Sequence, residues 1–394
     1  MKILCFTTTF PKFPNDFSGA FVFESLNSIN RKQNTIRIFI ASTWKPNILK
    51  TLKKDKKINF YQKKSFKKKY YLNEEYVLSI PRNMFKRISV FIFNMMLRKK
   101  IKKILFEYKP EIIHFHDYII AQCVLPLAKE LNIPCCLTIH GIDTSKNLQT
   151  KYFKNLKNKI FHDLDKIIVV GQILKKELSA FEIDENKIVF IPNGVNFPKT
   201  KKENKIYFSK QKAKIISVSN LHEGKGIDLN LKALKQLKNQ FPELKWQYKI
   251  IGDGYQRNQL EKFTKKNKLE KNIKFLGYRK KNYVFKALND SDIFLLPSYR
   301  EAFGIAYLEA MAFGLITIGV KGQGPETFII DSINGFLIPP KDVSSIKKVL
   351  LKILTNKKEA IKLSLSGKKY IKENFTWEKH GMKLEDLYRS IIKK

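Results

Sequence analysis

The sequence has few acidic residues and few cysteines, and it lacks long apolar runs. Only 35 of its 394 residues are Asp or Glu, against 76 Lys or Arg, so the formal net charge is +41. Its four cysteines show no metal-binding spacing with nearby histidines, which predicts reduced thiols. No segment approaches the roughly 20 apolar residues that cross a bilayer, and the apolar start is too short for a signal peptide. We therefore expect a cytoplasmic protein.

The excess of positive charge has three explanations. It fits a nucleic acid partner, an anionic membrane surface, or lysines spread over solvated faces. Lysine far outnumbers arginine, whereas arginine is favoured for bidentate contacts with phosphate and guanine. The lysine bias therefore weighs against nucleic acid as a partner.

Two segments of the first half concentrate cationic and apolar residues. Residues 53–69 are dense in lysine with interleaved aromatic residues, and residues 85–103 combine a bulky apolar stripe with cationic ends. The second segment fits an interfacial helix on acidic lipid. It fits equally an ordinary domain helix whose lysines extend to solvent. Peripheral association with the inner face of the cell membrane is one of these two open interpretations.

Short apolar runs alternate with helical patterns along the chain, which predicts βαβ units and parallel sheets. The length favours two domains. A break at Pro192–Pro198, followed by a lysine-rich stretch, divides them into residues 1–198 and 205–375. We also predict that a helix at about 376–394 packs back on the first domain. The expected fold class is α/β, with two Rossmann-like doubly wound domains facing across a cleft.

The expected strands share short, apolar, β-branched character. They are Lys2–Thr7, Ile36–Ala41, Ile112–Phe115, Cys135–Ile139, Ile167–Val170 and Ile188–Ile191 in the first domain, and Ile215–Val218, Tyr248–Ile251, Ile273–Leu276, Ile293–Leu296 and Ile316–Val320 in the second.

The most informative motif carries two carboxylates, Glu301 and Glu309, around a predicted strand-to-helix turn. A buried strand ends at Pro297, and a helical pattern follows from Gly304. Ligands bind at the carboxyl ends of strands in open α/β sheets, and a helix N-terminus offers free N–H groups to phosphate. Two acids around a phosphate site suit a nucleotide-sugar.

Glycine-containing turns follow two other strands of the second domain. Gly224-Lys225-Gly226 places a cation and backbone amides at one site, which suits a diphosphate. The same tripeptide also makes plain turns in lysine-rich chains. Asp253-Gly254 could likewise be a simple turn pair.

The first domain offers a glycine loop and two histidines. Gly19 follows the first strand and permits close approach to a ligand, or else belongs to an ordinary connection. His116 and His140 follow predicted strands, where a lone histidine is more often structural. A metal site would need a third ligand, and none has suitable spacing.

Taken together, these motifs resemble glycosyltransferase family 4, the retaining nucleotide-sugar enzymes of GT-B fold. The resemblance covers nearly the whole chain and is carried by Leu-Pro-Ser-x-x-Glu-Ala-Phe-Gly at 296–304 and Glu-Ala-Met-Ala at 309–312. His140-Gly141 and Asn193-Gly194-Val195 support it. The chain is similar to bacterial enzymes of surface-polysaccharide and lipopolysaccharide synthesis.

The resemblance implies a role for each matched residue. Glu309 would hold the ribose hydroxyls, and Glu301 would contact the hydroxyls of the transferred sugar. Lys225 would stabilise the departing diphosphate, and His140 would lie beside the reacting sugar. The other implied donor-binding positions lie in loops at strand ends or at the start of a helix: Gly19, Asn220, Gly252, Asp253, Phe303, Gly304 and Ile305. No metal and no cofactor is expected.

One departure from the family pattern concerns the diphosphate. Asn220 stands where the family usually has arginine, so a cation is missing unless Arg257, Arg279 or Lys280 substitutes for it. We still expect activity, because Lys225 and both glutamates are present.

The implied reaction moves a hexose or N-acetylhexosamine from a nucleotide-diphosphate sugar to a lipid-linked or polysaccharide acceptor. The first domain would bind the acceptor and the second the donor. Three alternatives stay open: a nucleotide-sugar epimerase or phosphorylase of the same fold, a basic nucleic-acid-binding protein, and an inactive relative that scaffolds other enzymes.

Overall fold

The structure is a computed structural model. It describes residues 1–11, 16, 19–30, 33–44, 71–78, 86–141, 158–179, 183–197, 208 and 212–393. The lysine-rich segment 53–69 lies outside the described residues, and the side chains of segment 85–103 are described from Met95 onward.

The chain divides into two compact units. Unit 1 contains Met1–Val170, Leu174–Pro192 and His380–Lys394, and unit 2 contains Gly171–Ile173 and Asn193–Lys379. Each unit is built on one sheet.

Unit 1 contains a parallel sheet of seven strands. They are β1 (Lys2–Thr7), β2 (Thr35–Trp44), β3 (Tyr71–Leu78), β4 (Ile112–Phe115), β5 (Cys135–Ile139), β6 (Lys166–Val169) and β7 (Ile188–Phe190). Their spatial order is β3-β2-β1-β4-β5-β6-β7. The order reverses direction between β1 and β4, which pair in parallel and form the switch point typical of doubly wound folds.

The described helices between residues 1 and 192 connect these strands. They are α1 (Ala20–Asn27), α2 (Lys86–Tyr108), α3 (Tyr118–Glu130) and α4 (Gln172–Ser179), the last of which starts in the short segment that belongs to unit 2. In α2, the buried residues Leu97, Ile101, Ile104 and Leu105 recur at helical spacing and form its core-facing stripe.

Unit 2 repeats the arrangement with six parallel strands. They are β8 (Ala213–Val218), β9 (Trp246–Ile251), β10 (Ile273–Gly277), β11 (Ile293–Leu295), β12 (Ile316–Val320) and β13 (Phe336–Ile338), in the order β10-β9-β8-β11-β12-β13. The helices are α5 (Ile227–Gln240), α6 (Arg257–Lys266), α7 (Lys281–Asn289), α8 (Ile305–Ala312), α9 (Val343–Thr355) and α10 (Lys357–Asn374), followed by α11 (Trp377–Ile392). The switch point lies between β8 and β11.

Most of α11 belongs to unit 1 and completes its core. Leu384 and Tyr388 are fully buried, in the same cluster as Ile3 of β1 and Val22 of α1. The Tyr388 hydroxyl is 2.6 Å from His114 Nδ1 on β4. The C-terminal helix thus fills a face of the unit 1 sheet that the preceding elements leave apolar.

The predicted fold class, two doubly wound α/β sheets, is confirmed. Two strands are absent from the sequence-based assignment. In β3 the centre, Asn73-Glu74-Glu75, is polar, because this strand lies at the edge of the sheet beside β2. In β13 only three residues pair with β12, again at an edge. Edge strands need less apolar sequence than central ones.

Candidate active site

The loops after β8 and β11 meet in a salt bridge within unit 2. Lys225 Nζ donates to Glu301 Oε2 at 2.7 Å, and the two side chains are 17% and 16% exposed. The two residues follow strands that are neighbours in the sheet, so their loops share one edge. The structure therefore brings the sequence-predicted cation and one of the two acids into direct contact.

The Lys225 loop is fixed by the backbone after β11. The Gly224 carbonyl accepts from Tyr299 N–H at 3.0 Å and from the Ser298 hydroxyl at 3.1 Å. Gly226 is left-handed at φ 67°, and a Cβ there would lie 2.5 Å from the Pro297 carbonyl oxygen. Glycine is therefore required at 226 by both conformation and space.

The Glu301 loop leads into the N-terminus of α8. Gly304, at φ 94°, precedes the helix and supplies no side-chain cap. Its carbonyl accepts from Tyr307 N–H at 3.0 Å, so the first turn is formed. Among the described residues, the N–H groups of Ile305 and Ala306 have no recorded acceptor, as expected for the first turn of a helix. These amides and the helix dipole favour an anion.

The remaining acid of the motif lies on α8 itself. Glu309 is the fifth residue of that helix and is half-buried. Phe303, which precedes the helix, is buried and packs edge-on against Phe328 at 5.5 Å. The buried ring holds the turn between Glu301 and the helix in place, and Glu309 follows from the helix geometry.

The loops after β8 and β9 are bonded to each other. Leu221 N–H donates to the Asp253 carbonyl at 2.9 Å. Gly252 adopts φ 133°, and a Cβ there would lie 1.8 Å from the Ser219 carbonyl oxygen. Asn220 lies in the same β8 loop and is exposed. The predicted positions 220, 252 and 253 are thus gathered at the edge of the sheet that also carries Lys225.

The carboxylate of Asp253 serves the turn. It accepts from Gly254 N–H at 2.8 Å and from Arg257 Nη1 at 3.0 Å. The hydrogen bond from Gly254, and then that from Arg257, lower the pKa of the Asp253 carboxyl. Arg257 also donates to Glu261 at 2.8 Å. This arginine is therefore held by two carboxylates.

Positive charge gathers around His222, which begins the 3-10 turn of Glu223–Lys225. Burial, and next the charges of Lys225 and Arg300, lower the pKa of His222. The two nearby glutamates, Glu301 and Glu223, act in the opposite direction. Burial is the largest cause of the lowered pKa of His222, and the two cations act in the same direction.

In unit 1, three histidines of the β4 and β5 region, His114, His116 and His140, lie together, and His380 of α11 acts on their pKa values. His116 Nδ1 is 2.8 Å from His140 Nε2, and the rings stack with centroids 5.1 Å apart. Burial, and next His114, lower the pKa of His140 to about 3. Burial also lowers the pKa of His114 and of His116 well below the usual value. The cluster is therefore neutral near pH 7.

Two ring nitrogens of the neutral pair have no hydrogen-bond partner among the described residues. They are His116 Nε2 and His140 Nδ1, and both are buried. Because a neutral imidazole has one donor and one acceptor nitrogen, the shared hydrogen bond makes one end of the pair a donor and the other an acceptor. Such a pair suits a neutral hydroxyl better than an anion.

The local backbone requires glycine at position 19. It lies at the N-terminus of α1 with φ 68°, and a Cβ would lie 2.6 Å from the Thr9 carbonyl. Any larger residue would clash with that backbone. The neighbouring Phe21 ring lies 4.4 Å from the His140 ring, so the Gly19 turn and the histidine cluster lie in the same part of unit 1.

Comparison with known proteins agrees with these features. Residues 61–197 match the family described as Glycosyltransferase Family 4, and residues 198–370 match Glycosyl transferases group 1. The chain is 28% identical over 285 residues to an uncharacterized glycosyltransferase of Methanocaldococcus jannaschii, covering 71% of this chain and 76% of the relative. This chain belongs to glycosyltransferase family 4.

Two further comparisons place this glycosyltransferase among its relatives. It is 26% identical over 244 residues to the amylovoran biosynthesis glycosyltransferase AmsK of Erwinia amylovora, a match that spans 60% of this chain and 59% of AmsK. The crystal structure of HepE from Anabaena in complex with UDP and glucose has a TM-score of 0.72 to it, with 15% identity over 99% of this chain and 100% of HepE. The second likeness shows the shared GT-B fold.

Sequence reasoning missed two residues at the unit 2 site of this glycosyltransferase. Gln323 accepts from Glu301 N–H at 3.1 Å through its side-chain oxygen. The aliphatic part of Arg300 packs against Gly224. A Cβ built on that glycine would lie 3.1 Å from Arg300 Cβ. The glycine-rich loop at 321–326 was a signal for the first, and the position beside Glu301 was a signal for the second.

Neither a metal-binding cluster nor a membrane-spanning helix is present in the described part of the glycosyltransferase. No group of three or more His, Cys, Asp or Glu side chains there is placed to hold a metal ion. None of the helices there is long and apolar enough to cross a membrane.

Proposed function

We propose that this glycosyltransferase moves a hexose or N-acetylhexosamine from a nucleoside-diphosphate sugar to a glycan or lipid-linked acceptor, with retention at the anomeric carbon. Unit 2 binds the donor and unit 1 the acceptor. The HepE structure, which carries UDP and glucose, and the amylovoran relative support a UDP-sugar donor and a bacterial surface glycan as the first candidates to test.

The observation that carries this proposal is the Lys225–Glu301 salt bridge beside the N-terminus of α8. A cation, a carboxylate and the amides of Ile305 and Ala306 lie along one edge of one sheet. The ammonium and the amides suit a diphosphate, and the carboxylate can accept from sugar hydroxyls. We assign the ribose hydroxyls to Glu309, the fifth residue of the helix.

In our proposal, the same groups stabilise the negative charge that develops on the diphosphate during the reaction. Cleavage of the bond between the anomeric carbon and the phosphate oxygen puts positive charge on the sugar and negative charge on the diphosphate. Lys225 and the α8 N-terminus stabilise the second charge in place. In our proposal the acceptor hydroxyl attacks from the face that the diphosphate leaves, and the leaving phosphate oxygen takes its proton. The hydroxyl oxygen bonds to the anomeric carbon as the sugar–phosphate bond breaks.

We propose that the unit 1 histidine pair contacts the reacting sugar. The free nitrogens of His116 and His140 are one donor and one acceptor, and both rings stay neutral near pH 7. A neutral dyad can orient a sugar hydroxyl without placing positive charge beside the developing carbocation. We therefore assign His140 to the sugar and His116 to the orientation of His140.

A donor screen tests the proposal. Purified protein is incubated with UDP-, GDP- and ADP-sugars, alone and with a mixed glycan and undecaprenyl-linked acceptor set, and products are read by mass spectrometry. Transfer to an acceptor, lost in Glu301→Gln, is expected. No consumption of any donor in either condition would overturn the proposal.

The donor-only arm separates the other enzymes of this fold. An epimerase would convert the sugar of the donor without an acceptor, and NMR of the recovered nucleotide-sugar would show the new stereoisomer. A phosphorylase would need inorganic phosphate and release a sugar phosphate. Retention is read from the anomeric coupling constant of the transferred sugar, and inversion there would refute that part of the proposal.

A lipid-linked acceptor would place the protein at a membrane surface, and we propose that α2 contributes. Its outward face exposes Met95 (67%) and Phe106 (58%). Lys99 and Lys102 lie on the same helical face and are exposed. Apolar side chains between lysines favour an interface with acidic lipid.

Liposome flotation tests the membrane contact. Wild-type protein is expected to float with phosphatidylglycerol vesicles at low salt, and the double variant Met95→Ser/Phe106→Ser is expected to float less. Met382→Ser, which removes a 60% exposed methionine from α11, is the matched control. Absence of flotation at low salt would remove the membrane proposal while leaving the transfer reaction intact.

A further inference from the structure

Three arginines near the unit 2 site, Arg257, Arg279 and Arg300, differ in the contacts that their guanidinium groups already make. Arg257 donates to Asp253 at 3.0 Å and to Glu261 at 2.8 Å. Arg279 lies over the Tyr283 ring at 5.1 Å. For Arg300, no ion pair or hydrogen bond of the guanidinium is recorded among the described residues. Of these three, Arg300 alone has no ion pair, hydrogen bond or ring contact of its guanidinium among the described residues.

Sheet order separates the same candidates in space. Lys225 follows β8 and Arg300 follows β11, and these strands are neighbours. Arg279 and Lys280 follow β10, which lies beyond β9 at the edge of the sheet. Strands are spaced about 4.8 Å apart, so the β10 loop begins about two strand spacings from β8. The position of Arg300 favours a ligand held by Lys225.

The stem of Arg300 is fixed against the Lys225 loop. A Cβ built on Gly224 would lie 3.1 Å from Arg300 Cβ and 3.2 Å from Arg300 Cδ. The carbonyl of Arg300 accepts from the Ser298 hydroxyl at 3.3 Å. Its charge acts on His222 together with that of Lys225. One field of two cations therefore acts around the Glu223–Lys225 turn.

We propose that Arg300 is the second cation of the donor diphosphate site, in place of the neutral Asn220. The inference rests on the proposed function, since it assigns a residue of the same donor site. A guanidinium offers paired N–H groups that match a phosphate, whereas the Lys225 ammonium acts as a point charge. Arg257, Arg279 and Lys280, the substitutes suggested by sequence, are not needed for this role.

Binding of nucleoside diphosphates tests the inference. UDP, GDP and ADP are titrated calorimetrically into wild-type protein, Arg300→Ala, Arg300→Lys and the control Arg279→Ala. For the diphosphate that binds wild type, Arg300→Ala is expected to weaken binding about tenfold, the lower end of the effect of a hydrogen bond to a charged group. Arg300→Lys should recover part of the loss, and Arg279→Ala should bind like wild type.

A second-site variant sharpens the test. Asn220→Arg in the Arg300→Ala background should regain at least threefold in diphosphate affinity, because it returns a cation to the β8 loop. The loss in Arg300→Ala should also be smaller for the nucleoside monophosphate than for the diphosphate. Arg300→Lys, which keeps most of the packed stem, is expected to leave the melting temperature unchanged.

The outcomes separate this inference from the proposed function. Wild-type binding in Arg300→Ala overturns the inference alone, provided that Lys225→Ala still loses affinity. Equal weakening in Arg300→Ala and Arg279→Ala also overturns it, because that result reports a general loss of positive charge. If wild type binds none of the three diphosphates, the proposed function fails and the inference fails with it.

Discussion

The ammonium of Lys225 and the carboxylate of Glu301 are bonded to each other at 2.7 Å, although our proposal gives them different parts of the donor. An ammonium has three N–H donors and a carboxylate has several acceptor sites, so a donor can bind both groups while they stay paired. The salt bridge therefore fixes the positions of both groups at the edge of the sheet where we propose that the donor binds.

Removing one partner of this pair should reduce stability. Lys225→Met leaves the Glu301 carboxylate, 16% exposed, without its cation, and we expect a loss of about 1–2 kcal/mol in the free energy of unfolding. Adding Glu301→Gln should recover more than half of it. Urea denaturation measures both variants. The exposed pair Lys232–Asp228, at 3.2 Å, supplies the control, and Lys232→Met should cost under about 0.5 kcal/mol. If the losses of unfolding free energy in Lys225→Met and Glu301→Gln simply add in the double variant, the two residues are not coupled.

Glu309 should act on the ribose of the donor. In wild type, UDP is expected to bind more tightly than 2′-deoxy-UDP, because the carboxylate accepts from the ribose hydroxyls. In Glu309→Ala, UDP should bind about tenfold more weakly, and the difference between UDP and 2′-deoxy-UDP should shrink. Calorimetric titration of the two ligands into the two proteins gives all four affinities. If the ratio is the same in both proteins, Glu309 does not contact the 2′-hydroxyl; circular dichroism checks that the variant is folded.

The central strands could be predicted from the sequence because burial on both faces demands a continuous apolar run. Ile3, Leu4, Cys5 and Phe6 of β1 are all fully buried, and the predicted bounds of β1 match the observed ones. The edge strand β3 could not be predicted in this way, because its centre carries the polar residues Glu74 and Glu75 and breaks the apolar run. Pattern therefore identifies the middle of a sheet better than its edges.

The contacts between side chains of the site could not be predicted from the sequence. The motifs placed Lys225 and Glu301 on loops of one sheet, but their direct bond joins residues 76 positions apart and depends on loop conformation. The contact from Gln323 to Glu301 N–H depends on a third loop in the same way. Arg300 could be recognised only after Arg257 proved to be held by its own carboxylates.

Two glycines allow the cost of a left-handed backbone to be measured separately from the cost of a steric clash. Gly226 and Gly322 have similar left-handed φ angles, 67° and 70°, but a Cβ at 226 would lie 2.5 Å from the Pro297 carbonyl oxygen and a Cβ at 322 would meet nothing within 4 Å. Gly322→Ala should cost about 1 kcal/mol for the backbone alone. Gly226→Ala should cost about 3 kcal/mol or more, because the clash adds to it, and should weaken diphosphate binding. Equal losses in denaturation midpoints would show that the loop relaxes around the added methyl group.

Acid should weaken unit 1 through its buried histidines. Burial lowers the pKa of His380 to about 4, against about 6.5 in an unfolded chain. Its Nδ1 lies 2.8 Å from the Pro192 carbonyl oxygen, which can only accept, so Nδ1 carries the proton and Nε2 accepts from the Ser25 hydroxyl at 2.7 Å. Between those two pKa values the unfolded state binds the extra proton, so stability falls as the pH falls from 6.5 towards 4.

The test measures the slope of the unfolding free energy against pH. Each such histidine contributes up to about 1.4 kcal/mol of unfolding free energy per pH unit within the window. His380→Gln, which cannot take up the proton, should be less stable at pH 7.5 and should lose this share of the slope between pH 6.5 and 4.5. His162→Gln changes a side chain that is 88% exposed and should leave the slope unchanged. A His380→Gln curve that runs parallel to wild type would show that His380 does not stay neutral in the folded protein.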